Sequence, residues 1–123
     1  MINNNNLEEK ITSFTNEIGS KNPVIIKRFF IGKKEPLAAC TIYMEALSER
    51  DIINRDILTP LMFKVDEEII PGEDTCEYLC RKYIPLSNTI TESNVSNALE
   101  AIKIGQTIIL IEGLDNFIIA DTK

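Results

Sequence analysis

This 123-residue chain has three cysteines whose thiols could bind a metal or attack a substrate, namely Cys40, Cys76 and Cys80. Cys76 and Cys80 are four residues apart, which places two thiolates on one face of a predicted helix, where both can contact one metal ion. Structural zinc, however, needs four ligands, usually Cys or His, and the chain has no histidine. We therefore interpret all three as buried structural thiols, and their odd number as typical of a reducing compartment.

Carboxylates cluster on both sides of residues 69–72, as Asp66-Glu67-Glu68 before them and Glu73-Asp74 after them. Carboxylates this close can bind calcium or act as acid and base. The Asp-x-Asp-x-Asp-Gly spacing of a calcium-binding loop is missing. We therefore predict a solvated acidic loop.

Gly32-Lys33-Lys34 superficially resembles a phosphate-binding loop. It lacks the Gly-x-x-x-x-Gly-Lys-Ser/Thr spacing and joins two predicted strands, which indicates a surface turn. Lys27, Arg28 and Lys64 are isolated charges, expected at the rim of the sheet or in weak surface pairs. Thr59-Pro60 can fix a hinge inside an apolar helical segment, and a plain helix boundary is the favoured alternative.

The lack of histidine removes the commonest general base, the commonest transition-metal ligand and the usual catalytic triads. The net charge of −6, with no basic run longer than two lysines, disfavours nucleic-acid binding. No apolar stretch approaches the ~20 residues that span a bilayer, and residues 1–6 do not resemble a signal peptide. We expect a soluble, non-enzymatic domain made in the cytoplasm, with no cofactor, no catalytic or metal-binding residue, and ligand-binding residues that the sequence does not identify.

The most hydrophobic stretch of the chain is Thr107-Ile108-Ile109-Leu110-Ile111, with Gly105 before it and Gly113 after it. A short apolar run between turn residues predicts a strand that is buried on both faces. Residues 113–116 form a tight link, and residues 117–121 return as a second strand. Because an isolated hairpin is marginally stable in water, the rest of the chain must cover this pair.

Ahead of that pair, apolar spacing predicts a helix over residues 7–18 that ends at Gly19. Residues 24–31 and 37–43 are rich in strand-forming side chains and are separated by a polar turn, which predicts an antiparallel hairpin. Ser48-Glu49-Arg50-Asp51 is similar to a capping box and predicts the next helix. Pro60 should kink that helix or begin a short new one.

In the second half, the spacing of apolar residues predicts a helix over residues 75–83, closed by Pro85. A short strand over residues 88–91 then leads to an amphipathic helix that Thr91 or Ser93 would cap and Gly105 would end. We predict an α/β domain of α+β type, in which one mixed sheet of about four strands, arranged as two hairpins, is covered by helices.

Three segments carry a resemblance to the GerA family of spore germination proteins. Residues 48–62 include Ile52-Ile53-Asn54-Arg55-Asp56-Ile57-Leu58-Thr59-Pro60-Leu61, which resembles the family's Leu-Ile-Asn-x-Asp-Ile-Leu-x-Pro-Leu segment. Residues 98–113 resemble its Ala-Ile-x-x-Gly-x-Thr-x-Leu-Leu-Ile-Asp-Gly stretch. Residues 117–123 resemble the following strand, with Lys123 where the family has arginine. The hairpin over residues 24–43 occupies the position of the family's first strand pair, whereas residues 66–88 match least well.

The resemblance implies the A subunit of a nutrient germinant receptor in the inner membrane of bacterial endospores. Such subunits carry a large N-terminal soluble region and then transmembrane helices, and they work with a transporter-like B subunit and a lipoprotein C subunit. Nutrient binding to the complex triggers ion release. Residues 1–6 would then be frayed, and residues 7–123 would form the first subdomain, without the second subdomain or the membrane region.

Two functions fit this assignment. The first is a non-enzymatic domain on the spore-core (cytoplasmic) side of the inner membrane, which transmits a signal or holds receptor subunits together, including B and C subunits, further A subunits and the membrane region of its own chain. The alternative is a nutrient-binding module that captures a small molecule in a cleft against the second subdomain. A small enzyme is disfavoured because no nucleophile is paired with a base and no phosphate loop is present.

Overall fold

A computed structural model of the chain describes residues 6–19, 21 and 23–123. The helices are α1 (Leu7–Ile18), α2 (Arg50–Ile53), α3 (Thr75–Lys82) and α4 (Val95–Lys103), and α2 continues into the π-helical segments Asn54–Leu58 and Pro60–Lys64. The strands are β1 (Ile25–Ile31), β2 (Leu37–Tyr43), β3 (Thr89–Glu92), β4 (Thr107–Ile111) and β5 (Phe117–Ala120). Of the predicted frayed segment 1–6, all but Asn6 lies outside the described residues.

The five strands form one sheet in the order β1-β2-β4-β5-β3, and every neighbouring pair is antiparallel. The α+β class and the two hairpins are confirmed. The predicted mixed sheet is wrong, because the pairing is entirely antiparallel. The count of about four strands is one too few, because the short strand predicted over residues 88–91 is present as β3 and pairs beside β5. Ile90 is the one aliphatic side chain of β3 and is 56% exposed. Backbone pairing, more than burial, therefore holds β3 in the sheet.

The centre of the fold is β4, all of whose side chains are fully buried. Because side chains alternate along a strand, Ile109 and Ile111 join a core formed with α3 and the π-helical segments. Ile108 and Leu110 join a second core formed with α1 and α4. The sheet is thus sandwiched between two helical layers, as the doubly apolar pattern of β4 predicts.

The second core includes an aromatic contact between α1 and the sheet. The rings of Phe14 and Phe117 meet edge to face with centroids 5.6 Å apart, which is a favourable arrangement for aromatic pairs. At the start of α1, the Asn6 side chain accepts a hydrogen bond from the amide of Glu9. At its end, Gly19 has a φ of 81° and ends the helix as predicted.

The helix that begins at Arg50 departs from the sequence prediction at its start. Glu49 occupies the N-cap position and makes no side-chain capping bond, so the predicted capping box is wrong. The Ser48 hydroxyl instead donates to the carbonyl of Gly105, at 2.7 Å. Pro60 begins the second π-helical segment, Pro60–Lys64, but Thr59 is itself helical and the helical backbone is continuous from Arg50 to Lys64. The expected helix boundary at Thr59-Pro60, and the separate short helix after it, are therefore wrong.

The prediction for α4 is right in its span and wrong in its cap. Asn94, not Thr91 or Ser93, caps the helix, and its side chain accepts a hydrogen bond from the amide of Ser96 at 2.8 Å. Thr91 is instead part of β3, where it pairs with Ile118. Gly105 follows the end of α4 and has a φ of 98°, which confirms the predicted stop.

Residues around Gly105 fasten the end of the chain to the body of the domain. The carbonyl of Gly105 also accepts a bond from the Thr122 hydroxyl at 3.2 Å, and the hydroxyls of Thr107 and Thr122 lie 2.7 Å apart. The amide of Glu49 donates to the carbonyl of Thr122 at 2.6 Å. The segment after β5 is therefore held against β4 and the start of α2.

Gly105→Ala tests this close approach. A Cβ at residue 105 would lie 2.9 Å from Cγ of Lys123 and 3.0 Å from the carbonyl oxygen of Leu47. With the added strain of positive φ, we expect the free energy of unfolding to fall by about 2 kcal/mol or more. Gly19→Ala is the matched control, since Gly19 also has positive φ and an added Cβ there would have no described atom within 4 Å; it should cost about 1 kcal/mol. Urea denaturation measures both, and equal losses would contradict the packing argument.

Thr41→Val is expected to stabilise the protein. Thr41 is fully buried in β2, and its hydroxyl has no hydrogen-bond partner among the described residues. Replacing an unsatisfied buried hydroxyl with a methyl group should add about 1 kcal/mol to the free energy of unfolding. Thr107→Val is the control, because it removes the bonded partner of Thr122, and it should lower stability. Thermal unfolding that shifts in the same direction for both variants would contradict this.

Candidate interaction surfaces

The three cysteines lie in the core, as predicted for Cys40 and Cys76, while Cys80 is half-buried. Burial raises the pKa of Cys40 and of Cys76 to about 12, and it also raises that of Cys80. The Cys76 thiol donates to Oδ1 of Asn116 at 3.5 Å. Thiols with raised pKa are protonated at neutral pH and are poor nucleophiles and metal ligands. Within the described residues, no three His, Cys, Asp or Glu side chains are grouped so as to hold a metal ion.

Four of the five clustered carboxylates are exposed to solvent as predicted, but Glu67 is not a free loop residue. Its carboxylate accepts hydrogen bonds from the hydroxyls of Tyr78 and Tyr83 and from the ammonium of Lys82, with distances of 2.8 Å to Tyr78 and 2.7 Å to Lys82. The Lys82 nitrogen also lies 5.6 Å from the centroid of each tyrosine ring. Glu67 therefore ties the acidic loop to α3 and the residue after it.

The electrostatics of this cluster keep the Glu67 carboxylate in its charged form. Hydrogen bonds from Lys82, then Tyr83 and Tyr78, lower the pKa of Glu67 to about 2. The bond with Glu67 raises the pKa of Lys82 in turn. Burial, and then the bond to Glu67, raise the pKa of Tyr83 to about 12. A carboxylate with so low a pKa is a weak base at neutral pH, so the cluster is better suited to holding the loop than to proton transfer.

Glu67→Gln should destabilise the protein at neutral pH and lose its effect in acid. The folded-state pKa of about 2 lies below the ordinary glutamate pKa of 4.5, so this carboxylate stabilises the fold above about pH 4.5 and loses that contribution as the pH falls towards 2. The difference in melting temperature between wild type and Glu67→Gln should shrink over that window. Glu68→Gln, an exposed neighbour, is the control. A difference in melting temperature that does not vary with pH would contradict this stabilising role of the Glu67 carboxylate.

The Gly32-Lys33-Lys34 segment is the surface turn that the sequence predicts, between β1 and β2. Thr59-Pro60 lies within the continuous helical stretch from Arg50 to Lys64 and marks the change from one π-helical segment to the next. That stretch contacts the sheet through the amide of Gly32, which donates to the carbonyl of Leu61 at 3.2 Å.

A hollow of about 500 Å³ lies beside this turn, at the end of β1. Its walls come from the first turn of α1, from β1 and β2, and from the second π-helical segment, and they comprise Leu7, Glu8, Arg28, Phe29, Phe30, Gly32, Ala38, Ala39 and Met62. At its rim, the Arg28 guanidinium makes two bonds to the Glu8 carboxylate, at 2.9 and 3.0 Å. This pairing lowers the pKa of Glu8 and raises that of Arg28.

The sequence does not predict this hollow, because its walls come from four separate elements. No local motif marks it, since the pairing of Glu8 with Arg28 follows only from the docking of α1 on the sheet. The chain has a further hollow of about 310 Å³ at the β4–β5 turn, lined by Gly72, Glu73 and residues 113–116. Among the described residues, no helix is both long enough and apolar enough to cross a membrane.

Comparison with known proteins agrees with the resemblance seen in the sequence. Residues 12–123 match the profile of the Bacillus/Clostridium GerA spore germination protein family. Spore germination protein KA of Bacillus subtilis (strain 168) is 25% identical over 117 residues, which are 95% of this chain and 21% of that protein.

The fold has a counterpart among solved structures. It resembles the crystal structure of the N-terminal domain of the A subunit of the Bacillus megaterium spore germinant receptor GerK3, with a TM-score of 0.77 and 20% sequence identity. The alignment covers 97% of this chain and 47% of that one, so this chain spans about half of that domain and about a fifth of the B. subtilis protein. The family match extends over nearly the whole sequence, and the chain belongs to the GerA family of spore germination proteins.

Proposed function

We propose that this chain is the N-terminal part of the A subunit of a spore germinant receptor. In this role it transmits a conformational change, or holds subunits together, and catalyses no reaction. The observation that carries the proposal is the GerA match over residues 12–123, joined to a fold that resembles an A-subunit N-terminal domain over 97% of the chain. The protonated thiols and the fully bonded Glu67 carboxylate support a non-catalytic role.

The proposed domain organisation makes residues 7–123 a first subdomain, followed in the complete protein by a second subdomain and a membrane region. It rests on the relatives, which are about two and five times longer than this chain. Thr122 is bonded to both Gly105 and Glu49, so a following domain would leave from a fixed point. Such a rigid exit suits the transmission of a conformational change, because displacement of the body moves whatever is attached to it.

In the complete receptor, the proposal places the protein in the spore inner membrane with this domain on the spore-core side. Its partners there would be the B and C subunits, further A subunits and the membrane region of its own chain. These assignments follow from the family and from the likeness to an A subunit.

A flexible insertion tests the proposed rigid coupling. Insertion of a short Gly-Ser segment directly after Lys123, in the full-length gene, should slow germination, because the fastened exit no longer moves the next domain. The same insertion after exposed Ser87 is the control and should leave germination unchanged. The loss of optical density of spores after addition of a rich nutrient mixture is the measurement. Equal germination rates for both insertions would contradict the proposed rigid coupling. Immunoblots confirm that both proteins are present.

The nutrient-binding alternative is tested with the purified chain and with a longer form that includes the following subdomain. A ligand that binds only the folded state stabilises it by mass action and so raises the melting temperature. At a ligand concentration of a hundred times the Kd, the free energy of unfolding increases by about 2.7 kcal/mol. We expect no shift from amino acids, sugars or salts at millimolar concentration. A saturable shift with one compound would overturn the non-binding role and favour the alternative.

A further inference from the structure

The outer edge of the sheet at β1 has no strand beside it among the described residues, although the Pro60–Lys64 segment packs against β1 and accepts a bond from Gly32 just after it. β1 is seven residues long and pairs with β2 along its whole length, from Ile25 with Tyr43 to Ile31 with Leu37. On its other side, no strand is paired with β1 in the described part of the chain. An edge strand of this length offers a row of free backbone donors and acceptors to another strand.

An apolar hollow adjoins this edge. Phe30 is 60% exposed although it belongs to a regular strand. It lines the 500 Å³ hollow together with Leu7, Ala38 and Met62. A strand that pairs with β1 would run beside this hollow, so that one of its apolar side chains could enter while its backbone binds β1. Pairing of backbones supplies affinity in such complexes, and pockets for alternate side chains supply specificity.

The edge strand and the turn after it carry more basic than acidic residues on an acidic protein, although Glu8 pairs with Arg28 and Glu35 lies in the turn. Between Ile18 and Lys34 the sequence has no acidic residue and five basic ones, although the net charge of the chain is −6. Lys27, Lys33 and Lys34 make no ion pair with any residue that the structure describes. A partner strand with acidic side chains would therefore gain attraction here.

We propose that the β1 edge binds an extended, acidic segment of a partner protein, which adds to the sheet as a further strand and places an apolar side chain in the hollow beside Phe30. A second copy of this chain fits poorly, because its β1 would bring the same lysines against these ones. Edge lysines discourage pairing between identical chains, but that effect accounts for neither the exposed Phe30 nor the hollow. The proposal rests on this geometry and is independent of the receptor assignment, so either can fail without the other.

The direct test uses the purified 123-residue chain and a fluorescent peptide of about ten residues, which is long enough to span β1. The probe alternates Glu and Thr around one central Leu. Two matched probes replace Glu with Lys, or carry N-methyl groups that remove alternate backbone donors. Fluorescence anisotropy should show saturable binding of the acidic probe that weakens with added salt, and at least tenfold weaker binding of the other two.

Variants then locate the binding site. Phe30→Ala should weaken binding of the acidic probe about tenfold, whereas Ile90→Ala, a similarly exposed side chain on the opposite edge strand, should not. The double variant Lys33→Glu and Lys34→Glu should abolish binding, and Lys103→Glu on α4 should leave it unchanged. Circular dichroism and melting curves confirm that each variant is folded.

Several results would overturn the proposal. These are the absence of binding at millimolar peptide, equal binding of the N-methylated probe, or equal losses for Phe30→Ala and Ile90→Ala. Sedimentation that shows a dimer of the wild type, broken by Phe30→Ala, would assign the edge to a second copy instead. A longer form of the chain that no longer binds the peptide would assign it to the chain's own continuation.

Discussion

The constraint on which the rest of the structure depends is the burial of β4 on both faces. Each fully buried isoleucine or leucine contributes about 1.5–3 kcal/mol relative to exposure, and Ile108 to Ile111 are all fully buried. One helical layer cannot provide this, because alternate side chains point to opposite sides. The chain therefore places α1 and α4 on one face and α3 and the π-helical segments on the other.

Because helices cover both faces of the sheet, another chain can pair with the sheet itself only at its edges. At one edge, β1 is long and regular, and Lys27, Lys33 and Lys34 make no ion pair with a described residue. At the end of β5, Thr122 is fastened to Gly105 and to the start of α2. The groups that could do chemistry are in contrast occupied, since the thiols are protonated and Glu67 is fully bonded. This distribution suits a domain that works through contacts.

The sequence predicts most elements, because their signals are local. The apolar run between two glycines predicts β4, and the spacing of apolar residues predicts α4. Each signal lies within a short segment, and both elements are found where expected. The sequence fails where the answer depends on a distant partner. The position of β3 in the sheet depends on its pairing with β5, Ser48 bonds to Gly105 instead of capping a helix, and Glu67 meets two tyrosines and a lysine. The hollow at β1 has no local signal for the same reason.

Native-state hydrogen exchange tests this account most directly, since it reports the stability of each strand separately. If β4 is the doubly covered centre, amides of β4 and of its neighbour β5 should exchange only through global unfolding. The outward-facing amides of β1 should exchange much faster while the protein remains folded, because no described strand pairs with that side of β1. Amides of β4 that exchange through local opening, or uniform protection along β1, would contradict the proposed arrangement of a closed centre and an open edge.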